Sequence, residues 1–116
     1  MPPLRDVKII ATLRDVLKEW GTQGYIVWKR LPSEWLRENL DGYTEKAIGQ
    51  LMHEHVVNNG RIDQALETRD EYRNLYSHHY DFRFAIGGRQ VYIETRLDET
   101  DRRCGPRIYV VNMHYV

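Results

Sequence analysis

The feature that most constrains the fold is an alternation of apolar and polar residues near the end of the chain. Two segments, His79–Ile86 and Gln90–Leu97, place aromatic, branched or threonine side chains at every second position and mostly charged side chains between them. Successive side chains of a strand point to opposite faces of a sheet, so this pattern predicts two strands with one apolar and one polar face. A third extended segment, Pro106–Tyr115, is apolar at both parities, which indicates a strand that is central or covered on both sides.

The earlier part of the chain has helical spacing instead. Apolar residues three or four positions apart predict three helices. They cover Leu4–Trp20, Ser33–Leu40 and the segment from Thr44 to Asn58-Asn59-Gly60. Ser33 and Thr44 are the expected N-caps, because their hydroxyls can accept hydrogen bonds from free backbone N–H groups. Of the remaining segments, Tyr25–Arg30 is either a short strand or an extended connector, and Arg61–Thr68 suggests a further helical turn or two.

The order of these elements predicts the fold class. Helices first and strands last are typical of an α+β domain, with helices on one face of an antiparallel sheet of three to four strands. At 116 residues the chain has the length of one domain. We therefore expect a single domain over 1–116, with a Trp-rich helical portion at 1–43 and helices plus a β-meander at 44–116.

The pairing of the first two strands depends on the turn between them. If Gly87-Gly88 alone formed the turn, Asp81 would lie opposite Glu94, which is a repulsive arrangement. A longer loop over positions 87–90 would instead place each carboxylate opposite an arginine, Arg83 or Arg96. We therefore expect the four-residue loop.

Composition excludes some classes of function. The chain has 17 basic and 17 acidic residues, so its zero net charge gives no general attraction to nucleic acid, and any binding of a polyanion must be local. No apolar run has the length of a membrane span, and we expect a cytoplasmic protein without membrane contact. The single cysteine, Cys104, rules out an internal disulfide and a cysteine zinc site.

The histidines do not have the spacing of a metal site. His53 and His55 would point about 200° apart on a helix, and His78 and His79 would face opposite sides of a strand. We therefore expect no metal and no cofactor. His55 lies on an apolar helical stripe, which favours a hydrogen-bonded histidine of the core.

The polar face of the predicted sheet carries the residues that RNA cleavage needs. Without a metal, that reaction requires a base for the 2′-hydroxyl, an acid for the departing 5′-oxygen and cations for the phosphate. We predict Glu94 as the base and His114 or His79 as the acid, provided that His114 projects to the same face. Arg83 and Arg96 would then hold the phosphate. Further substrate-binding candidates are Tyr92, Asn112 and Arg107.

This part of the chain also resembles a known group of enzymes. Helices followed by a meander reading HYDFRFAIGGRQVYIETRL and PRIYVVNMH are similar in layout to the small ribonuclease toxins of the RelE, MqsR and colicin D type. The likeness covers about Thr44–Tyr115 and is one of topology and residue type. It implies metal-independent cleavage of RNA by side chains on the sheet, here His79, Arg83, Glu94 and His114. RNA is then the expected substrate, and a protein inhibitor is an expected partner.

A second hypothesis belongs to a different class of protein. The polar face could be a lattice of cross-strand ion pairs on a non-catalytic binding or regulatory domain. Zero net charge and matched cross-strand charges favour this alternative. Such a domain could self-associate as a homodimer, through the Trp-rich helices or the second apolar face of the third strand.

Overall fold

The structure has helices and strands in the expected order. The computed structural model describes residues 1–100, 103 and 105–116 of the chain. Its helices there are α1 (Val7–Lys18), α2 (Arg30–Asn39) and α3 (Glu45–Val57). Its strands are β1 (Ile26–Trp28), β2 (Ile62–Leu66), β3 (His78–Ile86), β4 (Arg89–Asp98) and β5 (Arg107–Tyr115). The predicted α+β class is confirmed.

The sheet differs from the expected one in size and direction. We expected three to four antiparallel strands, and the structure has five in the order β1-β5-β4-β3-β2. β1 pairs with β5 in parallel, whereas the other pairs are antiparallel, so the sheet is mixed. Parallel pairing requires a long connection, and here two helices and three strands separate β1 from β5 in the chain. β5 lies between β1 and β4, which agrees with the apolar residues at both its odd and its even positions.

The prediction of helix over Arg61–Thr68 is wrong, since most of this segment is β2. The spacing of Ile62 and Leu66 fits a helix, but the segment is fixed by pairing on both edges. On one edge Ile62 lies opposite Phe82 of β3. On the other, the backbone N–H of Leu4 donates to the Ile62 carbonyl at 2.7 Å. Backbone pairing with segments distant in sequence therefore overrides the local spacing.

Side chains that accept hydrogen bonds from free backbone N–H groups mark the starts of α1 and α3. The Asp6 carboxylate accepts from the backbone N–H of Lys8 at 2.9 Å, which begins α1. The Thr44 hydroxyl accepts from the backbone N–H of Ala47 at 3.0 Å, as expected for α3. Ser33 is not the N-cap of α2, because that helix starts at Arg30 and the Ser33 hydroxyl donates to the Glu45 carboxylate.

The helices cover one face of the sheet and bury its apolar side chains. The least exposed core residues come from α1, α3 and the three long strands. They include Leu13, Leu17, Ile48, Met52, Phe82, Val91, Ile93, Ile108, Val110 and Met113. The predicted alternation of β4 is confirmed, since Val91 and Ile93 belong to this core, whereas Tyr92 and Glu94 line a pocket on the other face.

His55 forms a hydrogen bond, as the sequence predicts, but it is half-buried at the edge of the core and not within it. Its Nε2 lies 2.8 Å from the Arg61 carbonyl, and its ring centroid lies 5.3 Å from that of Phe84. Gly60 leaves room for this ring, because a Cβ at that position would collide with the His55 imidazole. The contact therefore links the end of α3 to the sheet.

The expected four-residue loop between β3 and β4 is wrong. Gly87 and Gly88 form a two-residue turn with φ of 60° and 84°. Positive φ at both positions matches the twist of a tight hairpin, and glycine adopts it without strain. As a result Asp81 lies opposite Glu94, which is the arrangement that charge repulsion argued against.

A β-bulge explains the mixed pattern of β5. Glu94 lies opposite Asn112 and Thr95 opposite Val110, so Val111 is an extra residue on β5. The bulge places Val110 in the core and turns Asn112 to the polar face. His114 follows it there, opposite Tyr92. His114 therefore projects to the polar face, as its predicted role in the site requires.

Within the described part of the chain, no helix combines the length and the hydropathy that a membrane span needs.

Candidate functional site

A row of acidic side chains crosses the polar face of the sheet. Asp63 of β2 lies opposite Asp81 of β3, which lies opposite Glu94 of β4, which lies opposite Asn112 of β5. The three acids are 8%, 0% and 5% exposed. Like charges directly opposite one another destabilise a sheet, so this row requires compensation from its surroundings.

Arginines compensate the two outer acids. The Nε of Arg61 lies 2.7 Å from Asp63 Oδ1, and the Nε of Arg83 lies 3.8 Å from Asp63 Oδ2. On the other side, Glu94 Oε2 lies 2.8 Å from Arg96 Nη2 and 3.3 Å from Arg69 Nη1. Each outer carboxylate thus faces two guanidinium groups.

The central acid, Asp81, has different neighbours. Its Oδ1 lies 2.7 Å from His79 Nδ1, and its Oδ2 accepts from the Tyr92 hydroxyl at 2.9 Å. Burial raises the pKa of Asp81, and the hydrogen bonds from His79 and Tyr92 lower it by less. The low exposure of Asp81 therefore outweighs its two hydrogen bonds in setting the direction of its pKa shift.

Tyr92 is held as a hydrogen-bond donor. Burial and the charge of Asp81 raise its pKa well above the ordinary value, so the phenol keeps its proton. The hydroxyl also lies 3.3 Å from Glu94 Oε1. Tyr92 therefore separates the two neighbouring acids of the row and bonds to both.

Arg96 lies beneath the surface and not at the pocket. Its side chain is 1% exposed, and its guanidinium contacts Glu67 and Glu94. The Tyr72 ring covers it, with the guanidinium carbon 4.9 Å from the ring centroid. The expected pairing of Arg96 with Asp81 is wrong, because Arg96 lies opposite Tyr109.

Glu67 completes this buried cluster from the connection between β2 and β3. Burial raises its pKa, but the backbone N–H of Arg69 and the charge of Arg96 outweigh that effect, so the pKa of Glu67 is lowered overall. Glu67 therefore remains ionised and fixes Arg96, which in turn fixes Glu94.

An open pocket of about 390 Å³ lies beside the cluster. It is lined by Met1, Arg69, Arg83, Tyr92, Glu94, Asn112, His114 and Val116. Three of the four predicted catalytic residues and two of the predicted substrate-binding residues thus meet in one place, which we call the Glu94 pocket.

His114 presents one ring nitrogen to its surroundings. Its Nδ1 lies 2.7 Å from the Tyr115 carbonyl oxygen, which can only accept, so Nδ1 carries a proton. The other nitrogen, Nε2, is then the one that can gain or lose a proton. The ring stacks on Tyr92 at 4.7 Å, and Arg83 lies over the same Tyr92 ring at 5.4 Å.

Other predicted residues lie elsewhere. His79 is on the polar face but does not line the Glu94 pocket, since it is bonded to Asp81. Arg107 lines a different cleft, with Gln23, Gly24, Tyr25 and Arg103, near the start of β5. Cys104 lies outside the described residues.

The sequence reasoning missed Asp81 and Arg69 as site residues. The four-residue loop predicts an ion pair between Asp81 and Arg96, whereas the two-residue turn places Asp81 opposite Glu94. Arg69 lies in a charged segment without periodicity, so no pattern places it near β4. The adjacent glycines at 87 and 88 were the signal that could have corrected the register.

Three side chains of the cluster could also hold a metal ion. His79, Asp81 and Glu94 offer ligand atoms that lie within 4.8 Å of one another. Nitrogen and carboxylate oxygen can bind divalent metals. A cation here would add positive charge beside Arg69 and Arg96, which already face Glu94. A site without metal stays our prediction, and a chelator experiment tests it.

The fold and the site together define a class of protein. It is an α+β domain with helices on one face of a mixed sheet and, on the other, a buried ion-pair cluster beside an open pocket. Comparison with known proteins does not narrow this class, because no family model, curated protein or solved structure matches the chain significantly. The resemblance to ribonuclease toxins stays a prediction.

Proposed function

We propose that this chain is a small metal-independent ribonuclease of the toxin or effector type, acting at the Glu94 pocket. The observation that carries the proposal is the meeting of Glu94, His114 and Arg83 on the walls of one open pocket. These side chains come from three different strands. The pocket combines a carboxylate, an imidazole and a guanidinium, which are the groups that the reaction requires.

Glu94 is the base in this mechanism. Its Oε2 is held by the close contact with Arg96, whereas Oε1 has only the longer contacts of 3.3 Å to Tyr92 and 3.4 Å to Arg69. Oε1 is therefore the oxygen that can accept a proton from a ribose 2′-hydroxyl. As that proton leaves, the 2′-oxygen forms a bond to the adjacent phosphorus.

His114 is the acid. Its protonated Nε2 donates to the departing 5′-oxygen as the bond between phosphorus and that oxygen breaks. The products are a 2′,3′-cyclic phosphate and a free 5′-hydroxyl. An imidazole suits this step because it can both accept and donate a proton.

Arg69 and Arg83 stabilise the charge that develops on the phosphate. Their side chains are 44% and 48% exposed, in contrast to the buried Arg96. Each is anchored by a carboxylate, Arg69 by Glu94 and Arg83 by Asp63. A guanidinium fixed in this way can donate to two phosphate oxygens without first being ordered. Arg69 thus takes the role that the sequence analysis predicts for Arg96.

The test is incubation of the purified protein with total RNA in the presence of a chelator. We expect cleavage, and a loss of rate of about 10²–10⁴-fold for Glu94→Gln and for His114→Ala. Glu54→Gln and His53→Ala on α3 are the matched controls and should cleave at the rate of the unchanged protein. His114 is exposed, so its replacement leaves the fold intact.

Three results would contradict the proposal: no cleavage, cleavage that survives both substitutions, or cleavage that the chelator abolishes. Intact RNA together with a mass that rises with protein concentration would favour the alternative, a self-associating binding domain.

A further inference from the structure

A second pocket adjoins the Glu94 pocket on the side of β2. It has a volume of about 400 Å³ and is lined by Met1, Arg61, Asp63 and Arg83. We call it the Asp63 pocket. Arg83 and Met1 line both pockets, so the two cavities share a wall. The proposed mechanism uses Arg83 from one side only and gives no role to Arg61.

The Asp63 pocket carries a net positive charge. Arg61 and Arg83 both face the same carboxylate, that of Asp63, which is the one acidic side chain among the described residues that line the cavity. Their side chains are 61% and 48% exposed, while that of Asp63 is 10% exposed. The carboxylate thus orients the two guanidinium groups from below and neutralises one of their two charges.

Arg61 is anchored more firmly than an ordinary surface arginine. Its Nε contacts Asp63 at 2.7 Å, and its Nη2 donates to the Met1 carbonyl at 2.6 Å. A planar guanidinium held at two points is suited to an anion with several oxygens, because little side-chain freedom remains to be lost on binding.

The shared wall of the two pockets suits consecutive phosphates of one strand, because Arg83 lines both. Asp63 lies on β2 and Glu94 on β4, with β3 between them, so the two anchoring carboxylates are about 10 Å apart at two strand spacings. Arg83 on β3 stands between the pockets. Two phosphates that both contact the Arg83 guanidinium lie closer together than these carboxylates do. One nucleotide, with five backbone atoms between its neighbouring phosphorus atoms, can therefore place one phosphate at the Glu94 pocket and the next at the Asp63 pocket.

We infer that the Asp63 pocket is a second phosphate subsite, in which Arg61 and Arg83 bind the phosphate next to the scissile one. This inference rests on the proposed function and deepens it, since it makes the substrate a single strand with at least two consecutive phosphates. Arg61 contributes to binding and not to the bond that breaks.

The experiment measures binding of 2′-O-methyl oligonucleotides, which have no 2′-hydroxyl and cannot be cleaved by the proposed route. One probe is a dinucleotide with a single internal phosphate. The others carry one additional terminal phosphate, at the 5′ end or the 3′ end. Titration calorimetry should give a dissociation constant about tenfold lower for one of the phosphorylated probes.

Arg61→Gln should abolish this gain and leave the affinity for the single-phosphate probe within about twofold. The logarithm of the binding constant falls linearly with the logarithm of the salt concentration. Arg61→Gln should reduce the size of this slope by about 0.7, the value for one phosphate contact with a single strand. Arg61→Lys keeps the charge and should retain part of the gain. Arg37→Gln, an exposed arginine on α2, is the matched control and should retain all of it.

The inference is overturned if neither terminal phosphate improves binding, or if the gain survives in Arg61→Gln. Cleavage assays separate this outcome from failure of the proposed function. If a terminal phosphate tightens binding through Arg61 but no RNA is cleaved, the subsite is supported and the proposed ribonuclease activity is contradicted. If RNA is cleaved in a way that depends on Glu94 but no terminal phosphate tightens binding, the ribonuclease activity is supported and the subsite is contradicted.

Discussion

At the scale of residues, two carboxyl groups with buried side chains near the polar face have pKa values that are shifted in opposite directions, although burial alone raises both. Glu67 faces Arg96 and has a lowered pKa, whereas Asp81 faces His79 and Tyr92 and has a raised pKa. The difference arises from the partner, because a guanidinium always carries charge and a phenol does not. The same substitution of carboxyl by amide should therefore have different effects at the two positions.

Replacement of Glu67 should strongly destabilise the fold. Glu67→Gln removes a charge from a pair whose side chains are both 1% exposed, leaving Arg96 with Glu94 alone. We expect a loss of about 3 kcal/mol in the free energy of unfolding, which urea denaturation at pH 7 measures. The exposed Glu71→Gln should change it by less than about 0.5 kcal/mol. Equal effects of the two substitutions would refute the buried pair.

Replacement of Asp81 should change how stability depends on pH. The pKa of Asp81 in the folded protein lies above its ordinary value of 3.8, so its contribution to stability is complete below that value and is lost as the pH rises through the folded pKa. The amide in the Asp81→Asn variant cannot ionise, so the variant loses no stability from this position as the pH rises. Relative to the unchanged protein, the variant should therefore gain stability with rising pH.

Denaturation of both proteins at about pH 4 and at pH 8 measures this difference, since the lower value lies near the ordinary pKa of the carboxyl. The amide introduced by Asp81→Asn can still bond to His79 and Tyr92, which makes the comparison close to isosteric. A difference that is constant with pH would show that the Asp81 carboxyl ionises in the folded protein as it does in the unfolded chain.

At the scale of elements, the turn between β3 and β4 decides which residues meet. The sequence predicted both strands and their faces because the alternation over His79–Ile86 and Gln90–Leu97 is local. It predicted the wrong register, because the repulsion between Asp81 and Glu94 is offset by neighbours that the alternation does not show. His79 and Tyr92 bond to Asp81, and Arg69 and Arg96 face Glu94. Of these, Arg69 comes from a segment outside the hairpin, whose position depends on the whole fold.

The turn itself can be tested by substitution. Gly88 has a φ of 84°, so Gly88→Ala should cost about 1–2 kcal/mol in the free energy of unfolding. Gly21→Ala is the matched control, because a Cβ there meets nothing within 4 Å and no positive φ is involved. Thermal denaturation of both variants measures the difference. Equal stability would mean that the hairpin uses a different turn and a different register.

At the scale of the whole molecule, the helices cover one face of the sheet and leave the Glu94 pocket open on the other. The sequence predicted this division, and it named five of the residues that line the pocket, because the alternating pattern separates apolar from polar side chains. It could not predict β2 as a strand or Arg69 as a neighbour of Glu94. Both depend on contacts between segments that are distant in the chain, including the pairing of Ile62 with Phe82.

The most direct test of the account is to identify the ends that the protein produces on RNA in the presence of a chelator. Attack by a 2′-hydroxyl at the Glu94 pocket predicts fragments ending in a 2′,3′-cyclic phosphate, which phosphorus NMR distinguishes from other phosphates. It also predicts no cleavage next to a 2′-deoxy residue. Fragments with 5′-phosphate ends, or equal cleavage at 2′-deoxy positions, would contradict the account.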